Sequence, residues 1–174
     1  PRFQLLPDMP NIEIGGYFFN YCDHIRSMIR SIKFDGNIEL AKRFSQCLQE
    51  ASVPSIFFES DVMVPISSHW FRQLWRGRPH IPIMFGPLLS HCEHVEPRLL
   101  RRVRYSASSF KLSKMDRQQV LPRFNWRGGG GIRSITLVDD ICTTGSTVTE
   151  IARLLNRRGI TVVRALVGAY VCLD

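Results

Sequence analysis

The sequence predicts an α/β fold built around a central, mostly parallel sheet, and three features near the C-terminus predict it. Residues 135–140, ITLVDD, form a short apolar run that ends in two acids, and residues 160–171, ITVVRALVGAYV, form a second apolar run. Between them, residues 148–155 carry apolar side chains at helical spacing, and Gly159 follows as a helix C-cap signal. A strand, a helix and a second strand in this order form a βαβ unit, whose two strands run parallel. The 174 residues are 44% hydrophobic, which suffices for the core of one domain.

The N-terminal part of the chain is predicted to be helical. Residues 1–16 contain three prolines and a Gly-Gly pair, and we interpret them as a lead-in to a single domain over residues 17–174. Apolar residues from Tyr17 to Ile32 fall at helical spacing, and a second apolar stripe over residues 37–51 indicates another helix. Both stripes are predicted to be core faces.

The middle of the chain predicts one buried strand followed by irregular and basic segments. Residues 61–66, DVMVPI, predict the strand, and residues 67–78 predict a loop that runs into a helix. Three prolines in residues 79–90 disfavour a regular helix, although a short one is compatible with them. Residues 98–105, RLLRRVRY, predict a strand with an exposed arginine face. Residues 106–131 end in four glycines and predict a mobile basic loop that acts as a lid or binding segment.

The positive charge is concentrated in one segment. The chain carries a net charge of +8. Ten basic residues and one acid between positions 98 and 133 give that span +9, which leaves the rest at −1. Such a segment is either a solvated face or a binding surface for a polyanion. Interleaved aromatic residues favour single-stranded nucleic acid; they are Tyr105, Phe110, Phe124 and Trp126. The candidate nucleic-acid contacts are Arg101, Arg102, Lys111 and Lys114.

Cysteine usage and hydropathy indicate a reduced, cytoplasmic setting. Five cysteines are scattered without any C-x-x-C pair, which argues against a zinc ribbon or a disulfide framework. The chain has no apolar run of roughly 18 residues, so no membrane span is expected. The first residues do not resemble a signal peptide.

The stretch LVDDICTTGST, residues 137–147, carries the candidate chemistry. Asp139 and Asp140 lie at the carboxyl end of a predicted parallel strand, where ligands bind in open α/β sheets. The loop that follows opens a helix, whose free N–H groups attract phosphate without any lysine. The candidate phosphate ligands are Thr143, Thr144, Gly145, Ser146 and Thr147. The carboxylates would repel a phosphate but would accept hydrogen bonds from vicinal hydroxyls. A ribose 5-phosphate satisfies both halves of the stretch.

Other readings of the same residues are weaker. No G-x-x-x-x-G-K-[ST] P-loop is present, and the glycine tract precedes the strand, which is the wrong order for a dinucleotide-binding fingerprint. The alternative that residues 137–147 are an ordinary strand-to-helix turn is not excluded. Thr147 and Glu150 could then form a capping box at the start of the helix. Cys142, beside two carboxylates, is expected to stay a thiol.

LVDDICTTGST resembles the phosphoribosyl pyrophosphate (PRPP) motif of type I phosphoribosyltransferases. The resemblance implies a central parallel sheet flanked by helices, a flexible loop and an N-terminal helical hood. It implies that Asp139 and Asp140 lie near the ribose hydroxyls as the catalytic pair, and that the following loop holds the 5-phosphate. Mg²⁺ would be bound through PRPP and not directly by the protein. Diphosphate would leave C1 through an oxocarbenium-like state.

Three further segments resemble the ComF family of competence-associated proteins. They are YCDHIRSMIRSIKFDGNIELAKRF, VMVPISSHWFRQLWRG and RYSASSFKLSKMDR. The resemblance implies a link to DNA uptake, with single-stranded DNA or the competence helicase machinery as partners. The family's R-G-F-N-Q stands here as RGRPH, residues 76–80, and its loop glutamine as Ser109. These departures bear on catalysis more than on binding. The family's cysteine-rich zinc module has no counterpart, so no zinc is expected.

The diphosphate side of the predicted site is less specific. Its candidate ligands are Ser67, Ser68, Arg72, Arg76 and Arg104, for which a plain turn or a soluble surface is an equal alternative. Two functions are therefore carried forward. One is a PRPP-dependent transferase with an unknown acceptor, and the other is a non-catalytic factor that binds single-stranded DNA through the basic 98–133 segment.

Overall fold

The computed structural model describes residues 1–66, 80–103 and 123–172. Seven strands and four α-helices are found in these ranges. The strands are β1 (Gln4–Leu5), β2 (Ile14–Asn20), β3 (Val62–Pro65), β4 (Leu100–Arg102), β5 (Phe124–Trp126), β6 (Ser134–Cys142) and β7 (Val162–Tyr170). The α-helices are α1 (Asp23–Arg30), α2 (Ile38–Gln49), α3 (His80–Leu89) and α4 (Ser146–Asn156). A π-helical turn (Ser31–Asp35) continues α1, and a 3-10 turn spans Ser55–Phe57.

Five strands form one sheet in the order β1-β2-β7-β6-β3, and β4 and β5 form a separate antiparallel pair. Within the large sheet, β2, β7, β6 and β3 run parallel, and only β1 is antiparallel to its neighbour. This is the predicted α/β architecture, and it is consistent with a phosphoribosyltransferase-like fold. Among the described residues, none of the helices is both long and apolar enough to cross a membrane.

Helices cover both faces of the sheet. Alternate residues of each strand point to opposite faces, so Val138 and Leu166 pack with α1, α2 and α3, whereas Leu137 and Ala165 pack with α4. The first face buries large aromatic residues, which include Phe18, Phe44, Phe57 and Phe85. The carboxyl ends of β6 and β7 therefore lie between two helical layers.

The predicted βαβ unit is confirmed as β6, α4 and β7. Strand β6 is longer than expected and continues through both acids to Cys142. The predicted capping box is wrong. Gly145 is the N-cap of α4 with no side-chain cap bond, and Glu150 instead accepts hydrogen bonds from the backbone N–H and Nε of Arg123.

The prediction of a first helix from Tyr17 is wrong, because residues 14–20 form β2 and the helix begins at Asp23. Apolar residues on both sides of a buried strand mimic helical spacing in a short window. The Gly-Gly pair lies inside this strand. A Cβ on Gly16 would be 2.0 Å from Cζ of Phe3, so the glycine allows β1 to pack closely.

Residues 80–89 form a ten-residue helix, which the sequence disfavoured as a regular helix but allowed as a short one. Pro82 lies in the first turn of α3, where the missing N–H has no intrahelical acceptor, and only Pro87 interrupts the bonding. The helix is buried through Ile81, Met84 and Phe85, and this packing outweighs the proline penalty of about 3 kcal/mol.

The predicted arginine strand over residues 98–105 is shorter, since β4 spans Leu100–Arg102. The predicted basic loop over residues 106–131 is interrupted, because Phe124–Trp126 forms β5. The predicted loop-to-helix segment, residues 67–78, lies outside the described residues, as does the remaining loop up to residue 122.

Candidate functional site

The acid pair lies near the carboxyl end of β6, but its two carboxylates have different surroundings. Asp139 is half-buried, and its Oδ1 accepts the backbone N–H of Asp140 at 2.9 Å. Asp140 is only 5% exposed. Its Oδ2 lies 2.6 Å from Nζ of Lys33 and 2.6 Å from Nε2 of His80.

Two elements that cover the same face of the sheet bring these partners to Asp140. Lys33 lies in the π-helical turn after α1, and His80 is the first residue of α3. A buried carboxylate needs a cation or hydrogen-bond donors, and these two side chains supply both. Sequence reasoning assigned neither residue a role. Lys33 lies in a segment quoted for the family resemblance, and His80 in one of the departures.

The surroundings drive the pKa values of the two acids apart. Burial first, and the charge of Asp140 second, raise the pKa of Asp139 to about 8, against the opposing charges of Lys33 and Arg102. Burial also pushes the pKa of Asp140 upward, but the His80 hydrogen bond and the charge of Lys33 outweigh it, and the net pKa is lowered. The pair therefore combines Asp140, which is held as an anion, with Asp139, whose pKa is raised.

The predicted phosphate loop joins β6 to α4 with its hydroxyls open to solvent. Thr143, Thr144 and Ser146 are exposed, and Thr144 Oγ1 accepts the N–H of Ser146 at 3.4 Å. Gly145 has φ +70°, a left-handed conformation that side chains disfavour. The first N–H groups of α4 are free of intrahelical acceptors and point toward this loop. The arrangement can receive an anion.

Cys142 lies below the loop and is not a nucleophile candidate. Burial, reinforced by the charge of Asp139, raises the pKa of its thiol despite the opposing N–H of Gly145. This agrees with the expectation from the sequence.

A cavity of about 650 Å³ opens from the loop along the outer flank of α4. Thr144 and Ser146 line its loop end, and Arg153 and Arg157 line the helix. The structure thus extends the predicted phosphate region toward basic side chains that lie outside the 98–133 segment.

Part of the predicted site lies outside the described residues. The predicted site residues there are Ser67, Ser68, Arg72, Arg76, Arg104, Lys111 and Lys114. Arg101 is exposed on β4, and the guanidinium of Arg102 lies 5.3 Å from the ring centroid of Phe124. In the described ranges, no group of three His, Cys, Asp or Glu side chains is placed to hold a metal ion.

Two aromatic residues cited for nucleic-acid binding have a different role. Phe124 is 2% exposed and Trp126 is 7% exposed, and both pack in the core under α4. They cannot stack on bases, so the interpretation of these two residues was wrong. Tyr105 and Phe110 lie outside the described residues.

The mostly parallel sheet flanked by helices defines an α/β protein whose fold is consistent with that of phosphoribosyltransferases, and the acid pair and the hydroxyl-rich loop lie at the carboxyl end of its strand β6. The chain is similar to the DNA utilization protein YhgH of Escherichia coli strain K12, at 27% identity over 154 residues. It is also similar to competence protein F of Haemophilus influenzae, at 25% identity over 150 residues. A YhgH protein of Shigella flexneri is 26% identical over 154 residues.

These alignments cover 81% to 83% of the chain and 66% of each relative, so the chain spans just under two thirds of their length. They confirm the resemblance to ComF-type proteins that the sequence predicts. No family model matches the chain.

Proposed function

We propose that the chain is a PRPP-binding, phosphoribosyltransferase-like protein of the ComF type that serves DNA uptake. The observation that carries this proposal is the junction of β6 and α4. There an acid pair and an exposed hydroxyl loop lie within a few residues of each other, at the edge where parallel sheets bind ligands. The names of the relatives, which refer to competence and DNA utilization, support the biological setting.

The loop is the half that would hold the 5-phosphate. Thr143, Thr144 and Ser146 offer exposed hydroxyls, and the N-terminus of α4 adds free N–H groups with a partial positive charge. Hydrogen bonds to a charged group contribute about 1.5–3 kcal/mol each, so the loss of one or two of these donors should weaken phosphate binding measurably.

The acid pair is the half that would hold the ribose. A carboxylate accepts hydrogen bonds from vicinal hydroxyls and stabilises the positive charge that develops on the sugar as diphosphate leaves C1. The acceptor then forms the new bond to C1 and gives up its proton. Oxygen ligands suit Mg²⁺, and we propose that the ion is bound by the diphosphate and ribose of PRPP. It would neutralise the leaving group.

Calorimetry with PRPP and Mg²⁺ tests this proposal directly. The Thr144→Val, Ser146→Ala double variant should bind PRPP at least about tenfold more weakly, because it loses two donors to a charged phosphate. Asp140→Asn should also weaken PRPP binding or turnover. Thr161→Val, at an exposed position before β7, is the matched control and should bind like the wild type. Equal binding by the wild type and the double variant would refute the phosphate site.

A second candidate is binding of single-stranded DNA without catalysis. Arg101 is exposed on β4, as this function requires, and the relatives' names favour contact with DNA. Binding should weaken steeply with salt and further in Arg101→Ala. An interaction that is absent or insensitive to salt would exclude this candidate. Release of diphosphate from PRPP, measured with and without DNA, separates the two functions.

A further inference from the structure

Asp140 connects two elements that are far apart in the chain. Lys33, in the π-helical turn, and His80, at the start of α3, both contact the same oxygen of Asp140 at 2.6 Å. The side chains of Lys33, His80 and Asp140 are 21%, 10% and 7% exposed. The cluster is therefore largely shielded from water, where each contact is stronger than at the surface.

Two donors on one oxygen fix the orientation of a carboxylate. The backbone on either side of Asp140 is paired with β7, through Asp139 with Val167 and Ile141 with Ala169, whereas the pairing with β3 ends at Val138. Moving Asp140 toward a ligand would separate it from Lys33 and His80 and leave the partly buried charge of Lys33 without its described partner, which is unfavourable. Asp139 has no such constraint, because its described contact is with the neighbouring backbone N–H, and part of its side chain is open to solvent.

We propose that Lys33 and His80 are positioning residues that hold Asp140 as the fixed anion of the acid pair, so that Asp139 is the carboxyl that meets the ligand. This inference rests on the proposed function. It gives the two acids different roles, whereas the sequence motif does not distinguish between them. The separated pKa values of the two acids agree with this division. It also assigns the helices that cover this face of the sheet a part in the site, since they supply both positioning residues.

The chemistry of the contacts distinguishes the two positions. His80 acts as a hydrogen-bond donor, so a glutamine, whose side-chain amide has a similar reach, should replace it, whereas leucine should not. Lys33 provides a charge, so arginine should partly replace it, whereas methionine, of similar shape, should not. The exposed Lys42 on α2 provides a matched control, Lys42→Met.

The test uses the whole chain with carbon-13 in the aspartate carboxyl groups. NMR titration should show an Asp140 signal with a low midpoint that rises in Lys33→Met and His80→Leu. The midpoint should remain close to the wild-type value in His80→Gln and Lys42→Met. Urea unfolding identifies any variant that fails to fold. If Lys33→Met or His80→Leu does not fold, the Asp140 midpoints of His80→Gln and Lys33→Arg are compared with that of the wild type instead. An Asp140 midpoint that is the same in every folded variant would overturn the proposal.

Calorimetry with PRPP and Mg²⁺ provides the functional arm. Lys33→Met and His80→Leu should bind PRPP roughly 10-fold more weakly, because Asp140 is then no longer held as the fixed anion beside Asp139, the carboxyl that meets the ligand. His80→Gln should remain close to the wild type. Addition of PRPP should shift the Asp139 titration more than that of Asp140, and the reverse order would overturn the division of labour. If the wild type does not bind PRPP, the proposed function fails, whereas the titrations in the absence of ligand still decide the positioning.

Discussion

Replacement of Asp139 by asparagine should stabilise the protein at alkaline pH. The pKa of Asp139 is about 8 in the folded chain, against an ordinary value of 3.8. The folded state therefore binds more protons than the unfolded state between these values, and stability falls as pH rises from about 4 to about 8. Asparagine has nearly the same shape, can accept the N–H of Asp140, and does not ionise.

The expected size follows from the shift. Each pKa unit corresponds to about 1.4 kcal/mol, so the full difference sets a ceiling of about 6 kcal/mol. Because water reaches the half-buried side chain and screens its repulsion with Asp140, we expect roughly 2–3 kcal/mol above pH 8.

The assay is urea unfolding of the wild type and Asp139→Asn at unit steps from pH 4 to pH 9. The free energies of unfolding should nearly coincide at pH 4 and diverge in favour of the variant as pH rises. Asp23→Asn, at an exposed position on α1, controls for the loss of one negative charge. A difference between Asp139→Asn and the wild type that is constant with pH would refute the assignment of Asp139 as a carboxyl with a raised pKa.

Two further predictions concern the backbone at the two ends of β6, at the loop after its carboxyl end and at its first residues. Gly145→Ala should lower the free energy of unfolding by about 1–2 kcal/mol, because φ at this position is +70° and the new Cβ would be 2.4 Å from Sδ of Met9. Adding Met9→Ala should restore only the part of the stability that the clash removes. Complete restoration would show that the backbone is unstrained. Asp61→Asn should lower the free energy of unfolding at pH 7, because the carboxylate of Asp61 accepts the N–H groups of Arg133 and Ser134 at 2.7 and 2.9 Å, which lowers its pKa. This stabilisation is present above the ordinary pKa of 3.8 and is lost as pH falls through the lowered pKa of Asp61. The free energies of unfolding of the wild type and Asp61→Asn should therefore converge in acid. A difference between them that persists in acid would contradict the prediction.

The sequence predicted the part of the fold in which local signals agree. In β6, α4 and β7, the apolar runs, the helical spacing and the glycine signal at position 159 all favour one arrangement, and the structure confirms it. Strand β2 was missed because its parallel partner, β7, lies about 150 positions later, as in the pair Gly15 and Ala165. No local pattern reports such a pairing.

The candidate site shows the same limit. The motif identified both acids, since they are adjacent in sequence, but it could not identify the groups that set their charge. His80 and Asp140 are separated by 60 positions, and only the packing of α3 on the sheet brings them together. The carboxyl end of this strand was expected to be open to a ligand, whereas Asp140 is buried, and a buried acid requires a basic or hydrogen-bonding partner.

The strand order has a consequence for how the chain folds during synthesis. Strand β7, the last of the described strands in chain order, lies between β2 and β6, so these two strands are connected in the sheet only once residues 162–170 are available. Until then β1 and β2 form only a two-stranded ribbon, which is marginally stable on its own, and the edge of β2 that later pairs with β7 is open. The N-terminal helices and strands must therefore wait for the C-terminal strand, which makes folding slow and leaves an edge that can pair with other chains. A truncation that removes β7 would split the sheet in two, whereas one that removes β1 would shorten only its edge.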